Sequence, residues 1–162
     1  MPAEAVISGS RWALLAAPAV ALLWAGLLLG VSFLATPIKF TAQSLTLPVA
    51  LDVGRATFHL LVKIEWVALA VLVVTAVSAR LPLWHFAPIA LIAACLLAQT
   101  LGLLPPLDAR VTAIIAGEAV PRNSLHIAYV ALEILKLMLL LGFATMVVGY
   151  WRSAGLFQPP QY

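Results

Sequence analysis

The stretch Ser124–Gly149, SLHIAYVALEILKLMLLLGFATMVVG, decides the fold class. It runs for 26 residues with two charged side chains, Glu133 and Lys136, and closes on Tyr150, Trp151 and Arg152. A helix crosses a ~30 Å hydrocarbon core with about 20 mainly apolar residues. An aromatic–basic cluster at its end marks the membrane–water interface. The stretch therefore reads as a transmembrane helix.

Three more spans follow by the same rule. The first is Ala13–Ala35, entered after Arg11 and Trp12 and closed by Thr36-Pro37. The second runs from about Ala56 to Ala79, ending at Arg80 and Pro82, and the third from about Phe86 to Leu104, ending at Pro105-Pro106. Together they predict an all-α, four-transmembrane-helix bundle, a single integral membrane domain over residues 1–162. Composition agrees: the chain is 64% hydrophobic and 9% charged, against about 25% charged in soluble domains. The net charge of +3 comes from nine Lys/Arg and six Asp/Glu. The basic residues sit singly near span ends, which suits anchoring and excludes a nucleic-acid patch. Cys95 is the single cysteine, so no internal disulfide is possible. At 23 residues, the first apolar run exceeds the ~7–15 of a signal-peptide core and is expected to be a retained helix. Gly26-x-x-x-Gly30 within it suits a close helix neighbour.

Spans two and three are joined by a tight turn around Leu81–His85, with His85 expected at the interface. The links Thr36–Arg55 and Pro105–Asn123, roughly 20 residues each, lie on the opposite face. Their apolar stretches, Leu45–Leu51 and Val111–Ala116, suit short interfacial helices, and Asp108 and Arg110 suit a local loop pair. Arg11, Arg80 and Arg152 fall on one face, and Lys39, Arg55, Arg110 and Arg122 on the other. That balance leaves orientation unfixed, with a cytoplasmic N-terminus as the expectation. The tail from Gln158 is expected to fray.

The two halves also read as duplicated hairpins. Arg55-Ala-Thr-Phe-His59 opens span two and Arg122-Asn-Ser-Leu-His126 opens span four, each following a proline. Each histidine is followed by a Lys and a Glu: Lys63 and Glu65, then Glu133 and Lys136.

These ionisable residues are the most informative feature. Glu65 and Glu133 each lie nine residues into a span, about 14 Å deep at 1.5 Å per residue. A charge at mid-membrane costs at least ~2.5–3.5 kcal/mol, so such residues face the bundle interior, a wet cavity or one another. His126, Tyr129, Glu133 and Lys136 share one face of span four, and His59, Lys63 and Trp66 share one face of span two. Setting the stripes face to face places Lys63 against Glu133 and His59 near His126. Glu65, about 200° round from Lys63, then turns towards span one or three, where Gln99 and Thr100 are candidate partners.

Three readings follow: an ion-pair cluster that locks helix register, a polar path for protons, ions or a small solute, or a b-type haem held between His59 and His126. No Cys or Met lies near either histidine to complete a metal site. There is no nucleophile–base pair, phosphate loop or Cys-x-x-Cys motif.

Trp24-Ala-Gly, Phe33, Pro37 and Phe40, then Gly54-Arg55 and Phe58, then Leu125-His126 with Tyr129 and Glu133, resemble a bacterial group. These are the copper-resistance-D-like four-helix membrane proteins and related uncharacterised four-span families. The resemblance implies a multi-pass protein of the bacterial inner membrane. It also implies haem b ligation at His126 and His59, as in some relatives. Other relatives carry a polar amide where Glu133 stands, and many lack the lysine at 136. The expected function is a non-enzymatic one: binding or passage of a small solute, proton or ion at a site formed by His59, Lys63, Glu65, His126, Tyr129, Glu133 and Lys136. A haem b redox protein is the alternative, and a structural subunit of a larger membrane complex is third. So small a chain is expected to work as a homo-oligomer or within such a complex.

Overall fold

The structure, a computed structural model, describes residues 11–121 and 123–153. Arg122 and the tail from Gln158 lie outside the described residues. Four helices are long and apolar enough to cross a membrane: α1 (Trp12–Thr41), α2 (Leu47–Ser78), α3 (Leu83–Ile115) and α4 (Leu125–Ser153). No strand occurs among the described residues. The chain is an all-α, four-helix bundle. α1 packs against α2 and α4, and α3 packs against the same two, so α2 and α4 face each other across the bundle axis.

The helices are longer than the sequence spans, and the links correspondingly shorter. Leu45–Leu51, read as a separate interfacial helix, runs into the start of α2, which begins at Leu47 with proline in its first turn. There the missing N–H has no partner to lose. Val111–Ala116 is likewise the end of α3, which continues through Pro105-Pro106 to Ile115. The links on that face reduce to residues 42–46 and 116–124. At the other end residues 79–82 turn between α2 and α3. Two C-caps of one design close α2 and α3. Arg80 (φ 51) and Gly117 (φ 81) take the left-handed conformation. The next residue's N–H then reaches back to Ala76 or Ala113.

Pro37 and Pro105 pass through α1 and α3 because the backbone widens ahead of them. Leu29–Ala35 and Ala98–Leu103 are π-helical, and Pro37 and Pro105 each come two residues after those segments end. A proline inside an α-helix removes a donor and clashes with the carbonyl four residues back. A wider turn with a neighbouring hydroxyl resolves both problems. Thr36 Oγ1 donates to the Val31 carbonyl at 2.8 Å, and Thr100 Oγ1 to the Leu96 carbonyl at 2.7 Å. The two hairpins thus repeat one layout.

The core is built on small residues of α1 (Ala17, Ala21, Ala25) against Leu72 and Ala76 of α2, Ile92 and Leu96 of α3, and Leu140, Phe143 and Val147 of α4. Small side chains let helices approach where burial from lipid gives little hydrophobic gain. Gly26 and Gly30 are turned outward, with nothing within 4 Å of a Cβ placed at either. Their expected helix neighbour is not found among the described residues.

Candidate functional site

A charged triad occupies the bundle axis. Lys136 of α4 is 0% exposed and bonds two carboxylates, Glu65 of α2 and Glu133 of its own helix. The Glu133 contact is 2.9 Å. Glu65 is 0% and Glu133 1% exposed. The triad joins α2 to α4 across the axis, where the Phe58 and Tyr129 rings also meet edge to face at 5.1 Å.

Each carboxylate is held from the other helices. Glu65 Oε1 accepts from the Trp24 indole of α1 at 3.1 Å. Glu133 accepts from Gln99 Nε2 at 2.8 Å and from Ser32 Oγ at 3.1 Å. Ser32 and Gln99 belong to the π-helical segments of α1 and α3, so both distortions deliver a polar side chain to Glu133. The Gln99 amide also donates to the Tyr129 carbonyl at 3.3 Å, and two acceptors fix its orientation. Three oxygens of this region, Glu65 Oε2, Gln99 Oε1 and the Tyr129 hydroxyl, are buried with no hydrogen-bond partner among the described residues. Buried polar atoms are normally satisfied, so such orphans mark room for water, a proton or an ion.

Access is one-sided. A cavity of about 330 Å³ lies under the 42–46 and 116–124 links, among the ends of all four helices. A second, of about 310 Å³, runs between the π segment of α1 and α4 down to Glu133. Thr36, Phe40, Phe58, His126 and Tyr129 line both. In the other direction the inner face of α4 is Leu140, Phe143, Ala144, Val147 and Trp151, all buried. From Lys136 to Trp151 is 15 residues (151 − 136), about 22 Å of apolar packing.

Of the residues singled out in the sequence, Tyr129, Glu133, Lys136 and Glu65 are brought together at the axis, and His126 stands exposed at the cavity mouth. Lys63 and His59 are placed differently. Lys63 is exposed on the outer surface and has no ion pair or hydrogen bond among the described residues. His59 is also exposed, and its Nε2 is 2.7 Å from Asp108 Oδ2. The correction follows from helix geometry: Glu65 and Lys63 lie on opposite sides of α2, and the face with two partners wins the interior. Asp108 and Arg110 do not pair locally either, since Arg110 bonds the Pro121 carbonyl. Gln99 serves Glu133, and Thr100 accepts from Trp66 at 3.3 Å. His59 lines neither cavity that His126 lines, and its Nε2 is engaged by Asp108. These residues do not form the facing imidazole pair that axial haem ligation needs.

Trp24 and Ser32 were missed, although each is a polar donor in an apolar run and legible as such. His85, expected at the interface, is fully buried within the protein against Trp84 and Tyr150, at ring distances of 3.7 and 5.4 Å. Cys95 is buried in packing. No group of three or more metal-ligating residues occurs among the described residues. Comparison with family models, curated proteins and solved structures finds no match to this chain.

Proposed function

We propose that this chain binds and releases one proton at the Glu65–Lys136–Glu133 triad, in exchange with the solution on the side of the 42–46 and 116–124 links. One observation carries the reading: two carboxylates and one ammonium are buried together at 0–1% exposure. Fully ionised, the triad holds one net negative charge, which a low-dielectric interior does not tolerate uncompensated. A proton is the smallest compensating ligand, and an alkali cation is the next. The cavity that ends at Glu133 gives the route, and intramembrane carboxylates commonly mark such routes. The apolar packing beyond Lys136 closes the opposite side, so this conformation suits binding from one face, with passage requiring a second conformation. In keeping with the resemblance noted above, the site of action is a bacterial inner membrane. With so little mass outside the bilayer, the chain works as a homo-oligomer or as a subunit of a larger membrane complex.

The test is an infrared titration of the purified protein in detergent. A carbonyl band of a protonated, water-shielded carboxyl should appear, and it should vanish in Glu133→Gln or Glu65→Gln. Replacing sodium by choline in the buffer separates proton from alkali-cation occupancy. An unchanged band in both variants, or none at any pH where the protein is folded, would refute the reading. Proteoliposomes with an internal pH indicator then separate binding alone from passage.

A further inference from the structure

The cavity under the links has a second feature that proton exchange does not use. Its walls are apolar, with Leu47, Leu51, Leu104, Leu107, Val111 and Ile114 among them. Four basic residues (Lys39, Arg55, Arg110 and His126) and one carboxylate, Asp108, also line it. Most of that charge is already engaged. Arg55 is paired with Asp52 at 2.5 Å and donates to Thr112, Arg110 is bound to the Pro121 carbonyl, and Asp108 to His59. Arg110, bonded to a neutral carbonyl, keeps its charge uncompensated, and His126 has no hydrogen bond or ion pair among the described residues; the remaining cation is Lys39. Its ammonium lies 5.1 Å from the Phe40 ring centroid and has no anionic partner among the described residues.

Position 54 allows that placement. A Cβ there would meet Lys39 Nζ, so glycine leaves the room in which the lysine head lies over α2, and a larger residue would push that flexible head aside. Glycine inside a helix costs roughly 0.5–1 kcal/mol relative to alanine, which makes a close approach at this position the physical reason for it. The result is one uncompensated ammonium in a half-buried setting, above an aliphatic chamber at the small end of ligand-pocket volumes.

We propose that this cavity binds a monoanionic amphiphile, with its carboxylate on Lys39 and its apolar body between α2 and α3. The Lys39 ammonium, a point charge held over the aliphatic chamber, matches one negative charge. The aliphatic walls exclude a small hydrophilic anion as the preferred occupant. The same chemistry is available from a soluble fatty-acid-like carboxylate or from an anionic lipid reaching in from the bilayer.

The probe is decanoate, titrated calorimetrically into the protein in phosphatidylcholine nanodiscs, with decanol and acetate as controls. Decanoate should bind at least tenfold more tightly than either control. Lys39→Gln should erase that margin, and separately Gly54→Ala, which displaces the lysine head, should reduce it, while each leaves decanol binding unchanged. Gly54→Ala raises helix propensity, so a folding failure would not imitate the result. Glu133→Gln, which removes the proton site, should leave decanoate binding intact, so the two readings fail separately. Equal binding of decanoate and decanol, or no effect of either substitution, would overturn the proposal. Repeating the titration in phosphatidylglycerol nanodiscs identifies the source. Loss of decanoate binding there assigns the cavity to an anionic lipid, and retained binding assigns it to a soluble amphiphile.

Discussion

Replacing Lys136 by methionine keeps the length of the side chain and removes its charge from between two buried carboxylates. On the proposed function, one ammonium and one proton neutralise Glu65 and Glu133, both essentially inaccessible. Lys136→Met leaves the carboxylates to be neutralised by protons alone, so the folded state must take up one more. Drawing a proton onto a carboxyl of ordinary pKa ~4.3 at pH 7 costs about 1.36 × 2.7, or ~3.7 kcal/mol. That falls within the ~3–5 kcal/mol typical of removing one partner from a buried pair. The cost has a pH signature. The folded variant binds one proton more than wild type relative to the unfolded chain, so its deficit should shrink by about 1.4 kcal/mol for each pH unit of acidification. Unfolding in mixed micelles of increasing SDS content, followed by circular dichroism, gives both numbers. The triple variant Glu65→Gln, Glu133→Gln, Lys136→Met removes all three charges while keeping acceptors for Trp24, Ser32 and Gln99. It should recover to within ~1–2 kcal/mol of wild type, as uncharged replacements of buried ion clusters do. A Lys136→Met deficit below about 1 kcal/mol at pH 7, or one independent of pH, would refute the reasoning.

Trp24→Phe removes the indole donor from Glu65 and should cost about 1–3 kcal/mol in the same unfolding assay, since a buried acceptor loses a partner. Gln99→Leu withdraws donors from both Glu133 and the Tyr129 carbonyl and should cost a similar ~1–3 kcal/mol, with altered carboxyl bands in the infrared titration. Lys63→Leu should change stability by no more than ~0.5 kcal/mol, as for surface sites, and leave those bands intact. A large loss there would return Lys63 to the interior.

How much of this was legible in the sequence depends on the solvent each residue meets. The four spans could be read because water and lipid differ greatly, and a run such as Ser124–Gly149 is tolerated only in the second. The inward face of α4 could be read too, because Tyr129, Glu133 and Lys136 fall on one stripe with no competing polar side. On α2 polar residues lie on both sides, and the apolar residues do not arbitrate. Leu61, Leu69 and Leu72 face inward while Leu60, Val67 and Val74 face outward. Lipid and protein core are equally apolar, so hydrophobic periodicity carries no direction inside a membrane. What arbitrates is partner count: Glu65 meets Trp24 and Lys136, whereas Lys63 has a flexible stem that can carry its ammonium towards the interface. Helix ends were misread for a related reason. Pro105-Pro106 is a strong stop signal in a plain α-helix, but the π-helical turn before it, which nothing in the local apolar pattern announces, lets the helix continue.

The π-helical segments also bear on whether the triad only locks helix register. A register lock needs one lysine and one carboxylate, and Glu65 with Lys136 already ties α2 to α4. Glu133 adds a second negative charge to that pair. Each added buried charge carries a desolvation cost of several kcal/mol. A purely structural cluster gains nothing from that expense, and an uncharged residue at 133 would still pack. Yet two helices depart from α geometry to aim Ser32 and Gln99 at this carboxylate, and the deeper of the two cavities ends on it. Of the three charged groups, the one surplus to the Glu65–Lys136 pair is the one that lines a cavity. That asymmetry is what supports the proposed site: one pair that ties the helices together, and beside it a second carboxylate that lines a cavity.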